Sequence, residues 1–245
     1  TCPHYLETAD WIDLEALFLG LPVPSLLERL AAPVLPVHSC LGDRQFSSST
    51  HAGHTRKQSH DQLAFLIAEF ARRVGFCGVQ TVYSRIPVAG RRDSPGARGD
   101  IFFPSGLCPE HPGKPFVLDI RLCHIFARTG NPRPSVLSTI SREKNNRYRD
   151  AYHARYIVFA PLPVTTFLSV GPEVCHLLYR FASVFVTRPG PSGMPCSDVD
   201  CNVFFSRLLK EFQYGVALAS LMRLRGVDGF IPADDRALAS SAPSS

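Results

Sequence analysis

Two aspartates lie near each other in the sequence, in positions where a carboxylate is unusual. Asp100 ends a glycine-containing turn, and Asp119 lies inside the apolar segment Phe116 to Leu122. Side chains alternate along a strand, so Asp119 and Arg121 would share one face, roughly 7 Å apart, and the other face would be apolar. A buried carboxylate is costly unless it is paired or binds a metal. If the strands of Asp100 and Asp119 pair, both carboxylates can approach one divalent cation such as Mg²⁺.

Lys144 is the third residue that could take part in chemistry at this point. It lies in a stripe at i, i+4 spacing, which consists of Val136, Ile140, Lys144, Tyr148 and Tyr152. A lysine on the core-facing side of a helix can extend its amine to solvent. Alternatively, it can reach the two carboxylates and stabilise charge on a phosphate. The aspartates leave a similar choice, because Asp119 and Arg121 could form an ion pair on a solvated face, with Asp100 as a turn residue.

The elements that would position these residues follow from periodicity and from breakers. Helical spacing of apolar residues, after a capping-box pattern at Ser59 and Gln62, predicts a helix over about 60–74. Strands are predicted at Val79–Tyr83, Asp100–Phe103, Phe116–Leu122 and Tyr156–Ala160, and further helices at about 135–152, from Pro172 onward and at about 202–224. This order predicts an α/β fold.

Composition sets limits on the class of protein. The 245 residues are 45% hydrophobic, enough for a core, and the net charge of +5 is compatible with a polyanionic partner. Eight cysteines without a Cys-x-x-Cys pair favour reduced thiols of an intracellular protein. No apolar stretch approaches the roughly 18–20 residues of a membrane span. Because the chain begins with Thr1, we expect a piece of a longer protein.

Five segments are expected along the chain. They are an N-terminal extension with a His- and Cys-containing loop (1–58), a core (59–186), a flexible linker (187–201), a C-terminal helix (202–232) and a disordered tail (233–245).

The ordered motifs resemble the PD-(D/E)XK nuclease core, and more specifically the restriction-like endonuclease region that follows the reverse transcriptase in some non-LTR retrotransposons. The matching segments are SHDQLAFLIAEFARRVGF (59–76), RGDIFFPSG (98–106), PFVLDIRLCH (115–124), REKNNRYRDAY (142–152) and IVFAPLPVTTFLSVGPEVCHLL (157–178), about half of the chain. The resemblance implies a mixed four-stranded sheet flanked by helices in the order α-β-β-β-α-β, with extra C-terminal helices. It also implies a DNA-nicking endonuclease that requires Mg²⁺ or Mn²⁺, an upstream reverse transcriptase region in the same polyprotein, and nuclear localisation if active.

The resemblance assigns roles residue by residue. Asp100 and Asp119 stand at the positions of the two metal ligands, and Lys144 on the following helix would be the functional lysine. Arg121 occupies the strand position where that lysine often lies. Its pKa stays above ~12, so it cannot carry a proton, but it could hold a phosphate. Glu69 on the first helix either assists the site or is a solvated helix charge.

The expected DNA contacts are basic residues on loops and a helix near the proposed metal site. They are Arg91, Arg92, Arg98, Arg128 and Arg147. A solvated surface is the alternative for each of them. A nuclease that has lost activity, and that binds nucleic acid or only folds, is the second functional hypothesis.

A third hypothesis is a zinc-stabilised interaction domain. Cys40, His51 and His54 cluster before the first predicted helix and could bind zinc, although the ligand spacing is incomplete and is more typical of an ordinary polar loop. His60 could instead face the catalytic cleft from the N-terminus of that helix.

Overall fold

The computed structural model describes residues 12–13, 15–16, 53–81, 99–124, 135–188 and 200–225. Four helices and three strands are named in this part of the chain. The helices are α1 (Gly53–Arg73), α2 (Val136–His153), α3 (Pro172–Thr187) and α4 (Cys201–Arg225), and the strands are β1 (Ile101–Phe103), β2 (Phe116–Cys123) and β3 (Val158–Thr165). The predicted mixed α/β class is confirmed. Among these helices, none combines the length and apolar character that crossing a membrane requires.

The chain divides into two compact units. One comprises residues 1–59, 126–132 and 217–245, and the other comprises residues 60–125 and 133–216. The sheet and every residue of the candidate site described below belong to the second unit. The five predicted segments, including the linker at 187–201, stay predictions.

The sheet has the strand order β1-β2-β3, with β2 in the centre. β1 runs antiparallel to β2 and pairs Ile101 with Leu118, whereas β3 runs parallel to β2 and pairs Pro161 with Asp119. Helix α2 makes the connection between β2 and β3 that a parallel pair needs. The strand that carries Asp119 is therefore hydrogen-bonded on both sides.

The segment Val79–Tyr83, which was predicted as the first of four strands, forms a single bridge to β1. Gln80 exchanges two backbone hydrogen bonds with Phe102, with N···O distances of 3.0 and 2.8 Å. Residues 82–98 lie outside the described part of the chain. Within that part, the sheet has three strands rather than the predicted four.

The predicted end of the last strand at Ala160 was wrong, since β3 continues through Pro161 and Pro163 to Thr165. Proline lacks the N–H that a ladder needs, so it is tolerated where that position faces away from the neighbouring strand. The Pro163 carbonyl accepts a hydrogen bond from Gly171 N at 2.9 Å, away from β2. Pro161 lies two residues earlier and has the same orientation.

Helices α2 and α4 begin and end within one residue of the predicted positions, and α3 begins at the predicted Pro172, but α1 begins at Gly53 instead of about residue 60. Ser59 therefore lies inside the helix, and its interpretation as an N-cap was wrong. No proline follows Gly53 in this stretch to stop the helix from extending backward.

The two faces of the sheet pack against different partners. On one face, Phe103 contacts the rings of Phe76 and Phe181, with centroids 5.7 and 6.2 Å away. On the other face, Val117 packs with Tyr152 of α2, and Tyr152 stacks on Phe159 of β3 at a centroid distance of 5.2 Å. The second face also holds the charged residues of the site.

Candidate active site

Asp100 and Asp119 face each other across the end of β1. The register pairs Ile101 with Leu118, so one step further along the two strands places Asp100 opposite Asp119. Directly opposed side chains in an antiparallel pair have Cβ atoms about 4.5–5.5 Å apart. Both residues are buried, with 9% and 5% of their surface exposed. The ion pair of Asp119 with Arg121 on a solvated face is therefore excluded.

The Asp100 carboxylate continues the hydrogen bonding of the sheet past the start of β1. Asp100 N donates to Leu118 O at 2.9 Å, and Oδ2 of the same residue accepts a hydrogen bond from Ile120 N at 2.7 Å. This N–H would otherwise have no strand residue opposite it. The side chain is thus held by the backbone of β2.

His60 reaches the same carboxylate from α1. Its Nε2 lies 2.9 Å from Asp100 Oδ2, and its Nδ1 lies 3.2 Å from Asp61 Oδ1. Burial would lower the pKa of His60, but the hydrogen bond and charge of Asp100, together with those of Asp61, raise this pKa to about 9. His60 is therefore an imidazolium at neutral pH, with a proton on each ring nitrogen.

Helical periodicity indicates the placement of His60 only weakly. His60 precedes Leu63 by three residues and Ile67 by seven, and Leu63 and Ile67 are both fully buried. These spacings put His60 on the core-facing side of α1. His60 contacts Asp100, but it does so from inside α1 and not from the N-terminus of the helix, because α1 begins seven residues earlier.

Lys144 reaches the second carboxylate from α2. Its Nζ lies 2.5 Å from Asp119 Oδ2, and only 20% of the lysine side chain is exposed. Of the two interpretations of Lys144, the structure therefore has the amine directed to the carboxylate and not to solvent. Asp119 Oδ2 is buried and, within the described residues, receives no hydrogen bond of acceptable geometry, so the contact is an ion pair.

The surroundings of Asp119 oppose the charge on its carboxylate. Burial raises its pKa, Lys144 lowers it, and the charge and hydrogen bonding of Asp100 raise it again, to about 6. The Asp100 carboxylate is thus near enough to disfavour the ionisation of Asp119. We call His60, Asp100, Asp119 and Lys144 the charged cluster.

Zinc and Mg²⁺, the two metals that the sequence suggests, need different ligands from the charged cluster. Within the described ranges, no group of three or more His, Cys, Asp or Glu side chains could hold a metal ion. A structural zinc site requires about four protein ligands, which the two carboxylates do not supply. Mg²⁺ commonly uses one or two carboxylates and keeps several waters, so Asp100 and Asp119 fit this ion.

Glu69 lies away from the charged cluster. It pairs with Arg72 on its own helix, and 40% of each side chain is exposed. Nine residues separate Glu69 from His60, about 2.5 helical turns, which puts the two side chains on opposite sides of α1 and ~13 Å apart along its axis.

Arg121 and Arg147 are exposed near the charged cluster. Arg121 follows Asp119 by two residues on β2, and so shares its face of the sheet. The Arg147 guanidinium lies 5.1 Å from the ring centroid of Tyr148, one turn of α2 beyond Lys144. Both could contact a polyanion beside the site.

The remaining predicted residues lie where the structure does not describe side chains. These are Arg91, Arg92, Arg98 and Arg128 of the expected DNA contacts, and Cys40, His51 and His54 of the possible zinc site.

No protein-family model matches the sequence, and no curated protein matches it. The functional argument therefore depends on the geometry of the charged cluster.

Proposed function

We propose that this chain is a metal-dependent DNA endonuclease region with a PD-(D/E)XK-like core, derived from a non-LTR retrotransposon. The observation that carries the proposal is the convergence on one buried point of Asp100, which directly precedes β1, Asp119 of β2 and Lys144 of α2. Lys144 Nζ lies 2.5 Å from Asp119 Oδ2, and Asp100 raises the pKa of Asp119. A fourth strand, continuing from the bridge at Gln80, would complete the sheet of such a core.

Each member of the site has a role in phosphodiester hydrolysis. Asp100 and Asp119 would hold Mg²⁺ or Mn²⁺, which supplies Lewis-acid stabilisation of the phosphate and an activated water. Lys144 would position the attacking water or stabilise negative charge on the pentacovalent phosphate. The exposed guanidinium of Arg121 would hold a non-bridging phosphate oxygen.

DNA is the proposed partner because two exposed arginines, Arg121 and Arg147, lie on the side of the charged cluster. Arg91, Arg92, Arg98 and Arg128 are proposed to add phosphate contacts. Such contacts give affinity that does not depend on sequence and falls with salt. A reverse transcriptase region of the same polyprotein and a nuclear location belong to the same proposal.

The test is nicking of a supercoiled plasmid by the purified protein, with and without Mg²⁺, for wild type and Asp119→Ala. We expect nicking that requires metal and disappears in the variant. Asp150→Ala is the matched control, because Asp150 is exposed on α2. Nicking that persists in Asp119→Ala would contradict the proposal.

A specific observation favours a second candidate, an inactive nuclease that binds nucleic acid or only folds. Each carboxylate already has a cationic partner, since His60 faces Asp100 and Lys144 faces Asp119. The two basic side chains of the charged cluster therefore match its two carboxylates in number without a metal. Folded protein that gives no nicking with Mg²⁺ or Mn²⁺ would establish this candidate, and DNA affinity and its dependence on salt would be measured next. Stoichiometric zinc in the purified protein would instead support the zinc-stabilised interaction domain.

A further inference from the structure

One oxygen of Asp100 is held by two donors from different parts of the fold. Oδ2 accepts a hydrogen bond from Ile120 N at 2.7 Å and lies 2.9 Å from His60 Nε2. The first donor belongs to the backbone of β2, and the second belongs to a side chain of α1. Together they restrain the rotation of the carboxylate about its Cβ–Cγ bond, and neither of them uses Oδ1.

His60 is itself oriented. Its Nδ1 lies 3.2 Å from Asp61 Oδ1, so both ring nitrogens have a carboxylate partner and the ring plane is defined from both sides. Among the described residues, the charged groups that face His60 are these two aspartates. The result is a chain of contacts from Asp61 through His60 to Asp100.

We propose that His60 is a positioning residue that sets the Asp100 carboxylate so that Oδ1 is presented to the metal ion. This inference depends on the proposed function, because it assigns Asp100 as a metal ligand. Groups that hold a metal ligand from outside the coordination shell orient it, and their loss typically lowers metal affinity by about 10- to 100-fold. His60 does not touch the substrate or the metal in this role.

A second role for the same contact predicts the opposite sign. If the imidazolium only neutralises Asp100, it competes with a divalent cation for that carboxylate. Removing His60 would then tighten metal binding. The direction of the change in affinity therefore separates positioning from charge competition.

The experiment measures Mn²⁺ binding to the purified full chain by electron paramagnetic resonance, which needs no turnover. Wild type is compared with His60→Ala, with His60→Gln and with His176→Ala, a control at an exposed histidine on α3. Gln places an N–H donor near the position of Nε2 and carries no charge. We expect affinity about 10- to 100-fold weaker for His60→Ala, mostly restored in His60→Gln, and unchanged in the control.

Plasmid nicking at increasing Mg²⁺ gives a second measurement. We expect His60→Ala to raise the Mg²⁺ concentration for half-maximal nicking much more than it lowers the rate at saturation. If His60→Ala fails to fold, His60→Leu replaces it, because Leu fills more of the space and also lacks a donor. Weaker Mn²⁺ binding in His60→Leu than in His60→Gln supports the positioning role, and equal binding in the two variants removes it.

Other outcomes overturn the inference or the function separately. Unchanged or tighter Mn²⁺ binding in His60→Ala, or equal weakening in His60→Gln, removes the positioning role and leaves the nuclease proposal in place. Mn²⁺ binding by wild type without nicking removes the nuclease activity, while the comparison of His60 variants still decides the positioning role. A wild type that binds no Mn²⁺ removes both.

Discussion

On one face of the sheet, Ile101, Phe103, Leu118 and Ile120 are buried among apolar side chains; we call it the apolar face. On the other, which we call the charged face, the same strands bury Asp100 and Asp119 beside the aromatic cluster around Val117. The strands are shared, and the difference lies in alternate residues. Burial that stabilises the apolar face opposes ionisation on the charged face, where it raises the pKa of Asp119.

This difference has a consequence for how the two faces contribute to folding. A buried ion pair is often no more stabilising than apolar residues of similar size, because desolvation offsets the attraction between the charges. The Asp119–Lys144 pair is thus poorly explained by stability. Our hypothesis is that the apolar face supports the fold and the charged face supports a reaction.

The largest expected effect on stability is at the centre of the apolar face. Phe103 is fully buried, so Phe103→Ala should lower the free energy of unfolding by about 3–5 kcal/mol. Urea unfolding followed by circular dichroism measures this change. Phe65 is 57% exposed on α1, and Phe65→Ala, as the matched control, should change stability by only about 0.5 kcal/mol. Equal losses in the two variants would contradict the assignment of the apolar face as the core.

The charged face should respond in the opposite direction when both members of its pair become apolar. The double variant Asp119→Leu/Lys144→Met is expected to leave the free energy of unfolding unchanged or to raise it by up to about 4 kcal/mol, and to abolish nicking. Lys144→Met alone should be less stable than the double variant, because it leaves the Asp119 carboxylate buried without its ion-pair partner. Urea unfolding of wild type, the two single variants and the double variant measures the coupling energy between Asp119 and Lys144. A double variant several kcal/mol less stable than wild type would show that the pair holds the fold together.

Stability should also depend on pH through the charged face. The pKa of His60 is raised from 6.5 to about 9, so its stabilising contribution is fully present below pH 6.5 and is lost as pH rises through 9. We expect the free energy of unfolding to fall by about 2 kcal/mol between pH 6.5 and 9 in metal-free buffer. His60→Gln should remove most of this dependence. Asp119, with a pKa of about 6, has largely finished titrating below this window. An identical pH profile for wild type and His60→Gln would exclude the His60–Asp100 pair as its source.

Local sequence patterns predicted much of this arrangement. Strand alternation placed Asp119 on the face opposite the apolar residues, and the i, i+4 stripe placed Lys144 in line with the core side of α2. Both predictions depend only on the geometry of one element. The end of β3 was missed because proline is tolerated where its nitrogen faces away from β2, and this depends on pairing that the sequence does not display.

The contact between His60 and Asp100 was harder to predict for the same reason. These residues lie forty positions apart on a helix and at a strand end, and no periodicity connects them. The register of β1 against β2, which places the two aspartates opposite each other, likewise emerges only from tertiary pairing.

Glu69 gives the smallest expected effect and sharpens the boundary of the charged face. It lies about 2.5 turns of α1 from His60 and pairs with Arg72, with 40% of each side chain exposed. Glu69→Gln should therefore leave the nicking rate within about twofold of wild type and change the free energy of unfolding by under ~0.5 kcal/mol. Initial nicking rates at saturating Mg²⁺, beside Arg72→Gln as the control for the loss of the same ion pair, provide the measurement. If the nicking rate fell tenfold or more in Glu69→Gln but not in Arg72→Gln, the Glu69 carboxylate would act in the reaction. The charged face would then have to include this side of α1.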